Sequence, residues 1–193
     1  MERISMKLCT KILCKLTCVF LIVAWPQPAV EVRAEETKQA ESLQQYNSVE
    51  GNFLIKLPGK PQLSKEALSG SKDVQHQLIA GDANGVYLVS WQESPKLAAS
   101  SEEKQLQALK VSREGLEKRF SSQLIKEVKI LFRDNVVALR FQLQLPEKRG
   151  QLHGTFFFAN SRLYQIMVIG TDEFVSSQQA KDMLDSFQWT ARK

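Results

Sequence analysis

Between Leu124 and Gly170 four apolar segments follow one another with only a few turn-forming residues between them. They run over Leu124 to Phe132, Val136 to Leu145, Leu152 to Ala159 and Leu163 to Gly170. Asp134 and Asn135 can turn the first pair, Pro146 to Gly150 the second and Asn160 to Arg162 the third. Connections this short join antiparallel neighbours, so the second half of the chain must build a meander.

The first half carries the same period. Phe53, Ile55 and Leu57 alternate with Leu54 and Lys56 before Pro58, Gly59 and Pro61 stop the strand. Val74 to Ala80 and Gly85 to Gln92 are two more strand segments, expected to pair as a hairpin around Gly81 to Gly85, where Asn84 and Gly85 can take positive φ. In the third strand Tyr87, Val89 and Trp91 face away from Val86, Leu88 and Ser90, which predicts cover on both sides.

Two stretches switch to a helical period. From Ser101 to Phe120 the residues Leu106, Leu109, Leu116 and Phe120 share a face that Arg113 interrupts, and Ser100 or Ser101 offers an N-cap. From Ser176 to Phe187, Ala180, Met183, Leu184 and Phe187 fall at helical spacing, and Ser176 with Gln179 matches a capping box. The expected class is α+β: an antiparallel meander sheet of about six to seven strands packed with two amphipathic helices, sandwich-like.

Composition matters mainly at the N-terminus. A cationic stretch with Arg3, Lys7, Lys11 and Lys15 precedes an apolar run from Leu16 to Trp25 and a polar exit with Pro26 and Pro28, the order of a secretory signal. The run is about ten residues, whereas a bilayer-spanning helix needs about twenty. Val32 and Ala34 are small residues placed for cleavage after Ala34, so residues 1–34 read as a signal peptide, 35–50 as a flexible leader and 51–193 as a single α+β domain. Retention of the run as an anchor is the alternative. Cys18 follows Lys15, Leu16 and Thr17 near the start of the run, which argues against lipidation. Cys9, Cys14 and Cys18 all precede the cut, so the remainder can have neither a disulfide nor a cysteine metal site. Five of the 26 basic and two of the 21 acidic residues also precede it, leaving 21 against 19. That near-balance gives no reason to expect nucleic acid as a partner. After processing, no stable membrane span is expected either.

No arrangement of residues announces chemistry. His76 and His153 are the only histidines, and neither belongs to a pair with metal-ligand or triad spacing. His76 shares a strand face with Val74 and Leu78, where its ring nitrogens would need partners. Gly59-Lys60 and Gly81 to Gly85 lack the spacing of a phosphate loop and read as turns. Tyr87, Trp91, Phe156, Phe157, Phe158 and Tyr164 are read as core, with a ligand pocket among them as the competing possibility. Lys126, Lys129, Arg133, Lys148 and Arg149 are interleaved with acids and read as a solvated surface. No catalytic residue, metal ligand or cofactor-binding residue is assigned.

Two stretches carry a family likeness. Phe53, Ile55, Leu57, Pro58, Gly59, Lys60 and Pro61, together with Tyr164, Gln165, Ile166, Val168, Ile169, Gly170, Ala180, Met183, Leu184, Ser186 and Phe187, resemble the opening and closing segments of small exported bacterial proteins of the PsbP-like α/β/α sandwich group. That group includes an extrinsic subunit of photosystem II on the lumenal side, a Ran-binding nuclear-transport protein and many exported proteins of unknown role. Its members share a fold more than an activity, so the resemblance implies an accessory or binding module and no functional residue is carried over. The expectation is an exported (periplasmic or extracellular), non-catalytic accessory or binding protein of an unspecified protein or small-molecule partner, not an enzyme and without a cofactor. The alternative is a small apolar-ligand carrier or hydrolase with a pocket between the sheet and the helix from Ser101 to Phe120.

Overall fold

The computed structural model of the chain describes residues 42–67, 74–81 and 84–190. The expected signal at residues 1–34 lies outside them. The stretch expected as a flexible leader is corrected in part, because Leu43–Ser48 forms strand β1, antiparallel to β2 (Phe53–Pro58) with Tyr46 opposite Ile55. Only Leu43 and Tyr46 of β1 pack on the core, and two apolar residues among polar ones leave no readable period. The short strand β3 (Gln62–Ala67), also not foreseen, follows the Pro58–Pro61 stop and is exposed along its whole length. It is an edge strand, and an edge need not show an apolar stripe.

The hairpin β4 (Val74–Gly81) and β5 (Gly85–Glu93) forms as expected, with Leu78 opposite Val89; two of its turn residues, Asp82 and Ala83, lie outside the described part. Helix α1 (Pro95–Ala98) is a single turn before the long helix α2 (Glu102–Phe120), whose N-cap is Ser101. Strands β6 (Gln123–Leu131), β7 (Val137–Gln144), β8 (Gln151–Ala159) and β9 (Arg162–Gly170) form the foreseen meander. Its last turn has φ of 50° at Asn160 and 64° at Ser161, the pair of positive values that a two-residue hairpin turn with native twist requires.

The helix expected from Ser176 to Phe187 forms over Gln178–Asp185, and a short helix that was not foreseen precedes it. Helix α3 (Asp172–Ser176) ends at Ser177, which then caps α4 (Gln178–Asp185) by accepting from the Ala180 amide at 3.1 Å. The cap is thus Ser177, one residue later than the Ser176–Gln179 spacing implied. Strand β10 (Gln188–Trp189) returns the chain to β2.

The seven-stranded sheet has the order β3-β4-β5-β9-β8-β7-β6 with every neighbouring pair antiparallel. It is two meanders joined side by side, β5 lying against β9, and α2 carries the chain across between them. Alternation decides which side each residue serves. Along β8, Leu152, Phe156 and Phe158 join Leu109 of α2 in one core, while Phe157 joins Phe53, Tyr164, Met183 and Phe187 in the other. The second core is roofed by the small sheet β1-β2-β10 and by α3 and α4. The result is α+β in layers, with α2 on one face of the large sheet and strands plus short helices on the other. Gly85 and Gly170 face each other in register, and a side chain at either would strike the Phe174 ring, at 2.3 and 2.7 Å. Their bare backbone is what lets α3 seat Phe174 against Tyr87, ring centres 5.0 Å apart.

Candidate functional site

The strands β7 and β8 show where the second face opens. Ala138 is fully buried there, but the next residues on the same side of β7 are Arg140 and Gln142, and their neighbour on β8 is His153. Polar residues at alternate positions mark the point where the sheet leaves its apolar cover. Between them and α3–α4 runs a groove of about 280 Å³, lined also by Val175, Ser176, Lys181, Leu184 and Asp185.

Arg140 is anchored on three sides. Its Nη2 meets Asp185 Oδ1 at 2.7 Å, its Nε donates to Thr155 Oγ1 at 3.2 Å, and β7 holds its backbone. Arg133 donates from Nη2 to the Asp185 carbonyl at 2.6 Å, so two guanidinium groups sit at the C-terminal end of α4, where the helix dipole favours positive charge. Lys181 has no ion pair among the described residues. His153 lies with Nε2 3.0 Å from Gln151 Oε1. Burial depresses its pKa below the ordinary 6.5, with the Asp172 carboxylate pulling weakly the other way. The imidazole is therefore neutral at neutral pH. The groove offers a fixed cation, a second cation on a flexible stem and hydrogen-bonding groups beside apolar walls.

His76 belongs to a different place. Two strands, β5 and β9, separate its strand from that of His153, so the two histidines do not converge. Its ring stacks on Trp91 at 5.1 Å and 13°, and its Nδ1 points at Glu50 Oε1, 3.5 Å away. Glu50 in turn accepts from Lys65 Nζ at 2.6 Å, and that bond holds its carboxyl below the usual 4.5. The hydrogen-bond partner that His76 was expected to need is not supplied: Nδ1 is buried without one among the described residues, and the Glu50 carboxylate is only a neighbouring charge. No group of three or more histidine, cysteine, aspartate or glutamate residues is placed to hold a metal among the described residues.

The aromatic residues considered for a pocket are core. Tyr87, Trp91, Phe156, Phe157, Phe158 and Tyr164 are each at most 4% exposed. The seam under α2, where a pocket was considered, is filled by Leu109, Leu139, Phe141 and Phe156. The groove lies on the opposite face of the sheet. Of the surface cations, Lys129 is paired with Glu102, Arg149 with Glu147 and Arg133 with the Asp185 carbonyl. Arg140, Gln142, Lys181 and Asp185 were not singled out from sequence. For Arg140 and Gln142 the signal available was the lapse of β7 from apolar to polar at positions 140, 142 and 144 on one side; Lys181 and Asp185, on α4, carried none.

No family model and no curated protein matches the chain. The solution structure of cyanobacterial PsbP (CyanoP) from Synechocystis sp. PCC 6803 superposes with a TM-score of 0.54 at 11% identity, over 82% of this chain and 98% of that one. The chain therefore has a PsbP-like fold. A protein of unknown function from Pseudomonas aeruginosa, PA94, aligns over 69% of this chain and 86% of its own at 12% identity, but its TM-score of 0.34 supports no structural argument. Among the described residues, no helix is long and apolar enough to cross a membrane.

Proposed function

We propose that this chain is an exported, non-catalytic accessory protein that receives a segment of a partner protein in the groove between β7–β8 and α4. The observation that carries this reading is the groove itself: anchored polar groups, Arg140 and Asp185, stand beside Val175 and Leu184, with Lys181 at the rim. Such a combination of apolar wall and fixed polar group suits recognition. At about 280 Å³ the groove lies at the small end of the range usual for small-molecule pockets, a size that admits one or two inserted side chains. The PsbP-like fold and the sequence pattern of residues 1–34 are consistent with an exported accessory role.

The test is affinity capture from the exported fraction under mild conditions, with the wild-type chain and an Arg140→Glu/Lys181→Glu variant. A protein retained by the first and lost by the second supports the reading. Turnover of esters, glycosides or peptides well above buffer would refute the non-catalytic part; N-terminal sequencing of the exported form should give a start at Glu35, and an exported chain that keeps the apolar run would refute the cleaved-signal assignment.

A further inference from the structure

We propose that strand β6 pairs edge to edge with β6 of a second copy of this chain, antiparallel and centred on Val128. The two edges of the large sheet are unlike. On β3 one large apolar residue is exposed, Leu63; on β6 there are four, with Leu124 and Val128 each 40%, Ile125 50% and Leu131 66% exposed. Among the described residues no strand lies beyond β6, so it presents amide and carbonyl groups beside apolar side chains, which is a template for another strand.

The charges on β6 select the partner strand and its register. Glu127 and Lys129 stand opposite Phe141 and Leu139 of β7, both part of the core on the α2 side, so the two charged residues share that face. Each is steadied from α2, Glu127 by Arg113 Nε at 2.9 Å and Lys129 by Glu102. Val128 stands opposite Arg140 and belongs to the other face. In a two-fold antiparallel pair, residues directly opposite one another must share a face. Centring on Val128 sets Glu127 of each copy opposite Lys129 of the other and places Val128 against itself. Centring on Lys126, Glu127 or Lys129 puts two like charges face to face on the axis, which is unfavourable. The pattern glutamate, valine, lysine is thus self-complementary in one register. The bulge between Leu124 and Lys126 limits the ladder at its N-terminal end, so the paired segment is short and the dimer weak and dependent on concentration.

Sedimentation of the full chain from about 1 µM to about 1 mM should show a monomer–dimer equilibrium with no higher species, because the two-fold pair consumes the β6 edge of each copy and the β3 edge left over exposes only Leu63 among large apolar residues. Val128→Lys, at an exposed edge position, should raise the dissociation constant at least about tenfold by setting two ammonium groups on the axis. Leu63→Lys on β3 should leave it unchanged. Val128→Cys, mildly oxidised, should give a disulfide between position 128 of the two copies, mapped by mass spectrometry; this checks the register without adding charge. A chain that stays monomeric throughout, an open-ended series of oligomers, a dimer indifferent to Val128→Lys or one dissolved by Leu63→Lys overturns the proposal.

Discussion

The two faces of the seven-stranded sheet are closed in different ways. On one, a single helix, α2, lays Leu109 fully buried onto Leu139, Phe141, Leu143, Leu152 and Phe156, with Leu106, Leu116 and Phe120 at its flanks. On the other, a small sheet and two short helices meet over Phe53, Phe157, Tyr164 and Phe187, whose rings contact one another at 5.1–6.1 Å. Continuous cover seals the strands under the helix, β6, β7 and β8, while α1 reaches β8 and β9, and beyond them Gln75, Ser90 and Gln165 form a polar cluster on the same face. Patchwork cover seals the middle, where large rings bridge the pieces, and leaves the groove at the β7–β8 margin.

The sharpest way to break that contrast is to remove a bridging ring. Phe157→Ala should cost about 3–5 kcal/mol, because the ring is fully buried and several elements would have to move to fill the space. Leu109→Ala should fall at the lower end of about 2–5 kcal/mol, since a single helix can settle onto the sheet. Urea unfolding of the two variants decides it, and a Leu109→Ala cost above that of Phe157→Ala would reverse the account of how the faces are held.

A smaller effect probes the charge that α2 itself buries among the described residues. Arg113, whose side chain is 9% exposed, meets Glu127 at 2.9 Å and also reaches Glu117 and Glu114. Arg113→Ala should cost about 1–3 kcal/mol, less than for a fully buried pair because water can reach Glu117 and Glu127. Arg113→Met should cost less, keeping the packing of the stem. In a double-mutant cycle with Glu127→Gln the losses should be less than additive. Full additivity would show that the ion pair contributes nothing.

What could be read from sequence divides along the same line. The helix from Ser101 to Phe120 and the strands of the meander were legible because each repeats its period long enough to declare a face, and even the lapse at Arg113 fell where the structure buries it. On the other face the strand with Phe53, Ile55 and Leu57 and the helix with Ala180, Met183 and Leu184 were legible for the same reason, but the smaller pieces of cover were not. Strand β1 offers two core residues, β10 is two residues long, and the break at Ser177 depends on which of two adjacent serines caps α4. Such pieces are fixed by tertiary contact, and tertiary contact has no period. The groove inherits that illegibility: Arg140 and Asp185 are 45 residues apart, and only the docking of α4 brings them together. The approach of Glu50 to His76, 3.5 Å across the fold, was hidden for the same reason.

The smallest expected effect lies in the groove. Folding lowers the His153 pKa through burial, with Asp172 opposing. Above the ordinary value of 6.5 the ring is neutral whether the chain is folded or not, and its contribution to stability is complete. Below that value the unfolded chain takes up the proton first, so stability declines until the pH passes the lowered folded value. Wild-type melting temperature should therefore drop as pH falls from about 7.5 to about 5, and His153→Gln should flatten that part of the curve. Glu50 titrates from a different starting point: its folded pKa lies below 4.5, so its contribution holds above 4.5 and disappears only in stronger acid. Asp172→Asn separates the causes, since it removes the opposing carboxylate and should lower the His153 midpoint further, as followed by the ring proton resonances. An unchanged midpoint would leave burial as the whole cause, and a raised one would mean that the packing of α3 and α4 against β8 does not shield the ring from water.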